Sequence, residues 1–316
     1  MLKLVAALLI SSVCCGAFGQ QWPTKTVRIV TTLAAGSATD IVARTLAERL
    51  ASALGQPVIV ENRPGASTML GAGAVAKAEP DGHTLLVTSS AHTVAPFVLT
   101  NLAFDPARDL LAVTPIATLP TLLVVPASKG YNTVQDLVAA AKAKPGSINF
   151  ASAAASTQLN AERFRRSAGF EAVHIAFKGA PEALNEIVAG RVDFYFTPVA
   201  PALALIRDGK LRPLAAGSPK RSSLFPDLPT TIEAGYPDSD YNFWIGLFVP
   251  ARTPRDIVNR LHKESVAAVQ APEVKDRLVR LGAEPLSMTP EQFETYVRDE
   301  LRTNAVLVKE LGITGG

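Results

Sequence analysis

The sequence predicts an α/β fold with two lobes, and three observations lead to this prediction. Segments with the periodicity of strands alternate with segments of helical periodicity along most of the chain. The 316 residues suffice for two domains, since a domain usually takes about 100 to 200 residues. Hydrophobic residues make up 48% of the chain and charged residues 19%, a composition that can fill hydrophobic cores and excludes disorder.

The first α/β unit of the mature chain opens with an alternating strand at 26–32. A loop of small residues, 33–39, leads into a helix at 40–55, where Ser37 and Asp40 have the spacing of a capping box. The next predicted elements are a strand at 57–61, a turn at 62–65, a helix at 67–78 and a strand at 84–88.

A second run of alternating elements predicts a second sheet. Thr133 begins a helix there, and the strand at 148–150 ends in the loop ASAAAST. The predicted strands are 122–125, 148–150, 173–177, 192–196 and 211–215, and the predicted helices are 133–142, 158–167, 181–189 and 201–207.

The last third begins with a passage rich in Pro, Ser and Gly at 217–239, followed by a strand at 243–249. The remaining chain is predicted to be helical. Three helix starts carry Pro in the first turn, namely Thr253-Pro254 with Asp256, Pro272-Glu273, and Thr289-Pro290 with Gln292.

Residues 1–19 predict a secretory signal peptide. Lys3 precedes an apolar run that extends to Cys15, and Ala17-Phe18-Gly19 has the small-x-small pattern of a cleavage site. The apolar run is shorter than the roughly 20 residues of a membrane span, which argues against an anchor. Lipidation at Cys14 or Cys15 is the other alternative, but Ser11-Ser12-Val13 lacks the usual aliphatic residue. Cleavage would remove both cysteines, so we expect a mature protein outside the cytoplasmic membrane, without thiol or disulfide.

Several function classes lack their sequence signals. The net charge is +3, and the sequence contains no long block of like charges, so we expect no nucleic-acid partner. Gly71–Ala76 fits a dinucleotide fingerprint by letter, but it lies inside a predicted helix rather than at a strand-to-helix turn. There is no G-x-S-x-G, H-E-x-x-H or P-loop, and the histidines are scattered, so we expect no catalytic residue, metal or cofactor.

Small residues are concentrated in loops that follow predicted strands. Ala34–Ser37, Arg63–Ser67, Ser89-Ser90 and Ala153–Thr157 all lie at carboxyl ends of strands, where open α/β sheets bind ligands. Small side chains let backbone N–H groups approach a ligand, and helix N-termini favour anions. The pattern predicts a secreted two-lobe protein that binds a small anion, and a carboxylate suits such a site.

Several segments resemble the Bug family of periplasmic solute receptors, which are related to the tripartite tricarboxylate transporter. They include ATDIVARTLAERLASALGQPVIVENRPGA, AKAEPDGHTLLV, FKGAPEALNEIVAGRVDFYF and FWIGLFVPARTPRDIVNRL. The resemblance extends from about Gln21 to Gly312. It implies a type II periplasmic binding fold, in which two α/β lobes joined by two crossing strands close over a solute. The implied lobes are 21–121 with 225–316, and 122–224, and the implied crossings lie near 122–125 and 217–241.

The resemblance also implies which residues contact the solute, through backbone and hydroxyl donors without a dedicated Arg. The matching positions are Leu33, Ala34, Gly36, Ser37, Asp40, Gly65, Ala66, Ser67, Ser89, Ser90, His92, Ser152, Ser156, Thr157, Lys178, Thr197 and Pro198. Asp40 has an alternative role as a helix cap. The chain departs from the family pattern at Ala35 and Ala153–Ala155, where the family has glycines or Asn.

The resulting functional expectation is a monomeric receptor without enzymatic activity. It would bind a small carboxylate by lobe closure and deliver it to a membrane permease or present it to a sensor protein. The alternative is a secreted enzyme on the same scaffold, for which His92 and Asp40 are the available acid and base.

Overall fold

A computed structural model describes residues 22–313, and the predicted signal peptide lies outside the described residues. The chain has two separate β-sheets with helices packed on them, as the sequence predicts. The strands are β1 (Val27–Thr31), β2 (Val58–Asn62), β3 (Thr84–Ser89), β4 (Leu110–Thr118), β5 (Thr121–Pro126), β6 (Asn149–Ser152), β7 (Val173–Ala176), β8 (Phe194–Pro198), β9 (Leu211–Ala216), β10 (Trp244–Pro250) and β11 (Glu284–Pro285).

Ten α-helices occur within residues 22–313. They are α1 (Ala38–Leu54), α2 (Met69–Ala76), α3 (Ala91–Val98), α4 (Val134–Ala143), α5 (Ala155–Ala168), α6 (Ala180–Val188), α7 (Val199–Arg207), α8 (Arg255–Gln270), α9 (Pro272–Arg280) and α10 (Pro290–Leu311). Within the same residues, none of these helices is long and apolar enough to span a membrane.

The first lobe is built on a six-stranded sheet in the order β11-β4-β10-β3-β1-β2. Strand β1 pairs in parallel with β2 and β3, so their carboxyl ends lie at one edge of the sheet. Strand β10 runs antiparallel between β3 and β4. Every residue of β10 is buried, because α10 covers one of its faces with Phe293.

The second lobe is built on a five-stranded sheet in the order β7-β6-β8-β5-β9. Strand β6 pairs in parallel with β7 and β8, whereas β5 runs antiparallel to β8 and β9. An aromatic cluster of Phe150, Phe164, Phe194 and Phe196 fills the core on one side, with ring centroids 5.4 to 6.3 Å apart. Phe150 stacks on Phe194 and the other pairs pack edge-to-face, and such aromatic pairs stabilise a core beyond the burial of area alone.

The chain crosses between the sheets twice. It passes from β4 to β5 through Leu119-Pro120, and it returns from β9 to β10 through residues 217–243. The two crossings are hydrogen-bonded to each other, with Gly217 N donating to Thr121 O at 2.8 Å and Leu119 N donating to Phe243 O at 2.9 Å. The implied lobe boundaries stay a prediction, and the first change of sheet falls between β4 and β5.

The first strand-to-helix loop, residues 32–37, is held by the carboxylate of Asp40. Its oxygens accept from Gly36 N at 3.0 Å, from Arg44 Nε at 3.0 Å and from Asn62 Nδ2 at 2.9 Å, and Asn62 also donates to Leu33 O. Burial alone would raise the pKa of Asp40, but these hydrogen bonds and the Arg44 charge outweigh it and lower the pKa. Asp40 therefore fixes the loop on α1 and on the end of β2.

Two of the predicted helix caps are wrong. Ser37 makes no capping hydrogen bond, and Asp40 reaches Gly36 N instead of Ser37 N, so the predicted capping box at α1 does not form. Thr253 donates its hydroxyl to Pro250 O and does not cap α8. The capping box at Thr289 with Gln292 is confirmed, and Thr133 forms one with Asp136.

Three elements escaped the sequence prediction, namely α3, β4 and β11. Helix α3 is short and contains Pro96. Because proline disrupts the interior of helices, the sequence pattern does not predict a helix there. Strand β4 is buried along nearly its whole length and contains Pro115, so it lacks the alternation of a half-exposed strand. Strand β11 has two residues, too few for a pattern.

We expect Asp40→Asn to lower the free energy of unfolding at pH 7 by about 1 to 3 kcal/mol, because the partners of this buried carboxylate lose a charged acceptor. The folded-state pKa of Asp40 lies below its ordinary value of 3.8, so the wild type is stabilised above that value and loses the stabilisation as the pH falls through the folded-state pKa. Urea unfolding of both proteins from pH 7 to pH 3 checks this. A difference that stays constant with pH would contradict the role given to the Asp40 charge.

Gly246 of β10 leaves room for the ring of Phe293. A methyl group at Gly246 would lie 2.5 Å from Phe293 Cζ, so we expect Gly246→Ala to destabilise the protein by about 1 to 3 kcal/mol through overpacking. Because Phe293→Leu shortens the opposing side chain, the double variant should lose less than the two single losses added together. Urea unfolding at pH 7 measures all three variants, and strict additivity would show that the two positions do not press on each other.

Candidate functional site

A cavity of about 340 Å³ lies between the two lobes, in the size range of small-molecule sites. Its walls come from the loops after β1 and β2 and the end of α3 on the first lobe, and from β6, β7 and the starts of α5 and α6 on the second. The lining residues are Leu33, Gly65, Ala66, Ser67, Thr68, Val98, Leu99, Ser152, Ala153, Ala154, Gln158, His174, Ala176, Phe177, Lys178 and Glu182.

The first-lobe wall contains a strained turn at Gly65–Thr68. All four residues have positive φ angles, with values of 129°, 44°, 45° and 86° along the chain. Gly65 adopts its angle freely, but Thr68 is β-branched and strongly disfavours it. Strain of this kind is typical of functional sites.

The second-lobe wall contains a polar row formed by Ser152, His174 and Gln158. Ser152 Oγ lies 2.6 Å from His174 Nε2, and Gln158 Nε2 lies 3.2 Å from His174 Nδ1. The imidazole stacks on Phe150 with ring centroids 5.1 Å apart. Burial lowers the pKa of His174, so the imidazole is neutral at pH 7.

Lys178 is the cation among the described lining residues. Its side chain is exposed, and no carboxylate of residues 22–313 lies within 4.0 Å of its ammonium group. Its backbone N–H donates to Glu182 Oε2 at 3.2 Å. The charge of Lys178 is therefore free to attract an anion at the cavity.

The lobes touch beside the cavity at Gly179. A methyl group at Gly179 would lie 2.7 Å from Ala34 Cβ and 3.0 Å from Ser37 Oγ, so the absence of a side chain permits the contact. Ala180 N donates across the interface to Ser37 Oγ at 3.4 Å. Gly36 of the first lobe lies opposite Pro181, which follows Ala180 in the second lobe. Ala34, Gly36 and Ser37 thus join the lobes rather than line the cavity.

The remaining predicted residues divide into two groups. Leu33, Gly65, Ala66, Ser67, Ser152 and Lys178 line the cavity, and the structure brings them together from four separate segments. Asp40, Ser89, Ser90, His92, Ser156, Thr157, Thr197 and Pro198 do not line it.

The residues outside the cavity have other surroundings. His92 is buried against Phe248, with ring centroids 4.9 Å apart, and burial lowers its pKa to about 4. Thr157 accepts from Ala153 N and Ala154 N, which shapes the loop before α5. Thr197 donates to Pro198 O, and Ser89 Oγ accepts from Ala91 N.

Sequence reasoning missed several lining residues, chiefly Gln158, His174 and Phe177. His174 falls in the strand predicted at 173–177, and the structure places it on β7 opposite Phe150. Gln158 follows the small-residue loop by one residue, and that position at a helix start was the available signal. Within residues 22–313, no group of three or more His, Cys, Asp and Glu side chains could hold a metal ion.

The chain is similar to known proteins over most of its length. Residues 42–313 match the model of the tripartite tricarboxylate transporter family receptor. A protein encoded in the tcbD-tcbE intergenic region of Pseudomonas sp. (strain P51) is 33% identical over 292 residues, 92% of this chain and 87% of that protein. Protein BugT of Bordetella pertussis is 32% identical over 92% of this chain and 90% of that protein.

Solved structures agree in fold. R. palustris Rpa4515 with adipate has a TM-score of 0.90 at 30% identity and covers 93% of this chain and 100% of its own. MatC from Rhodopseudomonas palustris with bound malate has a TM-score of 0.86 at 30% identity, covering 91% and 100%. The periplasmic binding protein BugD has a TM-score of 0.88 at 29% identity, covering 93% and 100%. The predicted type II periplasmic binding fold is thereby confirmed, and the chain belongs to the family of tripartite tricarboxylate transporter receptors, as its resemblance to the Bug proteins predicted.

Proposed function

We propose that this protein is a periplasmic receptor that binds a small carboxylate between its two lobes and delivers it to a membrane permease or a sensor protein. The observation that carries the proposal is the cavity between the lobes, which both lobes line and to which Lys178 contributes an ammonium group and Glu182 a carboxylate. Two structures of similar fold, at 30% identity, hold adipate and malate. Both molecules are dicarboxylates.

The cavity offers an anion several weak partners instead of one strong ion pair. Helix α5 begins at the cavity wall, since Ala154 precedes its first residue and lines the cavity. The N–H groups of a first helical turn and the helix dipole favour negative charge. The hydroxyl of Ser152 adds a hydrogen-bonding group, and closure excludes the water that would otherwise compete.

Binding without chemical conversion is part of the proposal. The acid and base considered for a secreted enzyme, Asp40 and His92, both lie outside the cavity lining. Asp40 is occupied by Gly36, Arg44 and Asn62. Of the titratable residues that line the cavity, His174 has both ring nitrogens in contact with Ser152 and Gln158. Recovery of the bound acid unchanged after incubation would support a receptor, and conversion of it would support the enzyme.

The first test is a thermal-unfolding screen of residues 20–316 against mono-, di- and tricarboxylates and amino acids, with malate and adipate included. A ligand present at 100 times its dissociation constant stabilises the folded state by about 2.7 kcal/mol, so a binding acid should raise the melting temperature clearly. The matched amides, malamide and adipamide, should leave it unchanged because they carry no charge. A panel in which no acid shifts the melting temperature, from protein shown by native mass spectrometry to be free of ligand, would contradict the proposal.

The second test concerns lobe closure. We expect Gly179→Ala to weaken carboxylate binding by about 5- to 150-fold, because a methyl clash costs about 1 to 3 kcal/mol and acts only when the lobes are closed. Adding Ala34→Gly removes the atom that the methyl group meets and should restore much of the affinity. Calorimetric titration with the acid found in the screen measures the dissociation constants. Wild-type affinity in Gly179→Ala would show that binding does not require this contact.

A further inference from the structure

The polar row on the second-lobe wall contains three side chains from three elements. Ser152 ends β6, His174 lies on β7, and Gln158 lies in the first turns of α5. Ser152 and Gln158 are nearly buried, with 3% and 5% of their surface exposed, yet both line the cavity. The row is therefore a hydrogen-bonded chain of two nearly buried side chains and the half-buried His174, with one face open to the ligand space.

The donors and acceptors of this chain can be assigned. With the Gln158 amide oriented as in this structure, Nε2 faces His174 Nδ1, and because an amide nitrogen only donates, Nδ1 accepts. A neutral imidazole has a single N–H, which must then be on Nε2, and this group donates to Ser152 Oγ. Among residues 22–313, Ser152 Oγ has no other hydrogen-bond partner. The hydroxyl proton of Ser152 is thus left to point into the cavity.

We propose that His174, held by Gln158, is a positioning residue that turns the Ser152 hydroxyl into a dedicated hydrogen-bond donor for the ligand. This inference rests on the proposed receptor function and specifies its ligand further. The ligand must place an acceptor, a carboxylate or carbonyl oxygen, against Ser152. A ligand with an ammonium group at that position leaves the Ser152 proton without an acceptor and therefore binds more weakly than a ligand with an oxygen there.

The polar row thus determines specificity by orienting the Ser152 hydroxyl group and not by carrying a charge. A serine hydroxyl without such a partner rotates freely and serves as a donor or an acceptor. The hydrogen bond from His174 occupies one of the two lone pairs of the Ser152 oxygen, fixes the orientation of the hydroxyl group and leaves its proton for the ligand. Ser152 is nearly buried, and a buried hydroxyl group that finds no acceptor is costly. A ligand that lacks the acceptor therefore loses affinity.

The proton assignment is tested first, without any ligand. Long-range proton–nitrogen correlation spectra of nitrogen-15-labelled protein at pH 7 report which ring nitrogen of each histidine is protonated. His174→Phe, which keeps the stacking on Phe150, identifies the His174 signals. We expect a neutral ring protonated on Nε2. A ring protonated on Nδ1 would overturn the proposal, whether or not a carboxylate is known to bind.

The effect on binding is tested by a double-mutant cycle, using malate or adipate as the probe, whichever the thermal screen shows to bind. We expect Ser152→Ala and His174→Phe each to raise the dissociation constant about tenfold, and the double variant to match either single variant. Ser152→Thr keeps the hydroxyl and should retain most of the affinity. Ser167→Ala, a hydroxyl deletion on the same helix as Gln158 but outside the cavity, should leave affinity unchanged.

Each outcome of the cycle decides a different point. Losses that add in the double variant would overturn the action of His174 through Ser152, and wild-type affinity in Ser152→Ala would overturn the donor role. Melting temperatures of the variants show whether each is folded. Absence of binding by every acid would contradict the proposed function itself, and the histidine spectra then decide whether the chain is oriented as proposed.

Discussion

The cavity between the lobes depends on one close contact, the approach of Gly179 to the first strand-to-helix loop of the other lobe. Because Gly179 has no side chain, Ala34 and Ser37 come within van der Waals distance of its backbone, and Ala180 N reaches Ser37 Oγ. The crossing segments hold the lobes together on another part of the chain, through the hydrogen bonds of Gly217 and Leu119. Closure of a receptor of this type is a shift between open and closed populations, and a contact present only in the closed state biases that shift.

The charges of the protein are arranged so that the cavity itself stays nearly neutral. The carboxylate of Asp40 accepts hydrogen bonds from Arg44 and Asn62, and these bonds hold the first strand-to-helix loop in place. An anion would then be recognised by N–H groups, a hydroxyl and the exposed ammonium of Lys178. Such a site binds through shape and hydrogen bonding in a space without water, which suits a receptor that must also release its ligand.

Much of the fold was predictable because hydrophobic periodicity reports burial directly. β1, α1, β5 and the alternation through β9 follow from local patterns, and the capping box at Thr289 follows from its spacing. Strand β4 and helix α3 were not predictable in this way. The near-complete burial of β4 removes the alternation of a half-exposed strand, and Pro96 argues against a helix at α3. The site was only partly predictable for a different reason. Loop positions such as Gly65 and Ser152 mark the carboxyl ends of strands, whereas His174 and Phe177 reach the cavity through the pairing of β7 with β6, which no local pattern encodes.

The central claim is that the lobes close over a small carboxylate in this cavity. Small-angle X-ray scattering of residues 20–316, recorded with and without a saturating acid that binds, measures closure most directly. We expect a smaller radius of gyration with the acid than without it. An identical radius of gyration in both states, with binding established in the same sample, would contradict it.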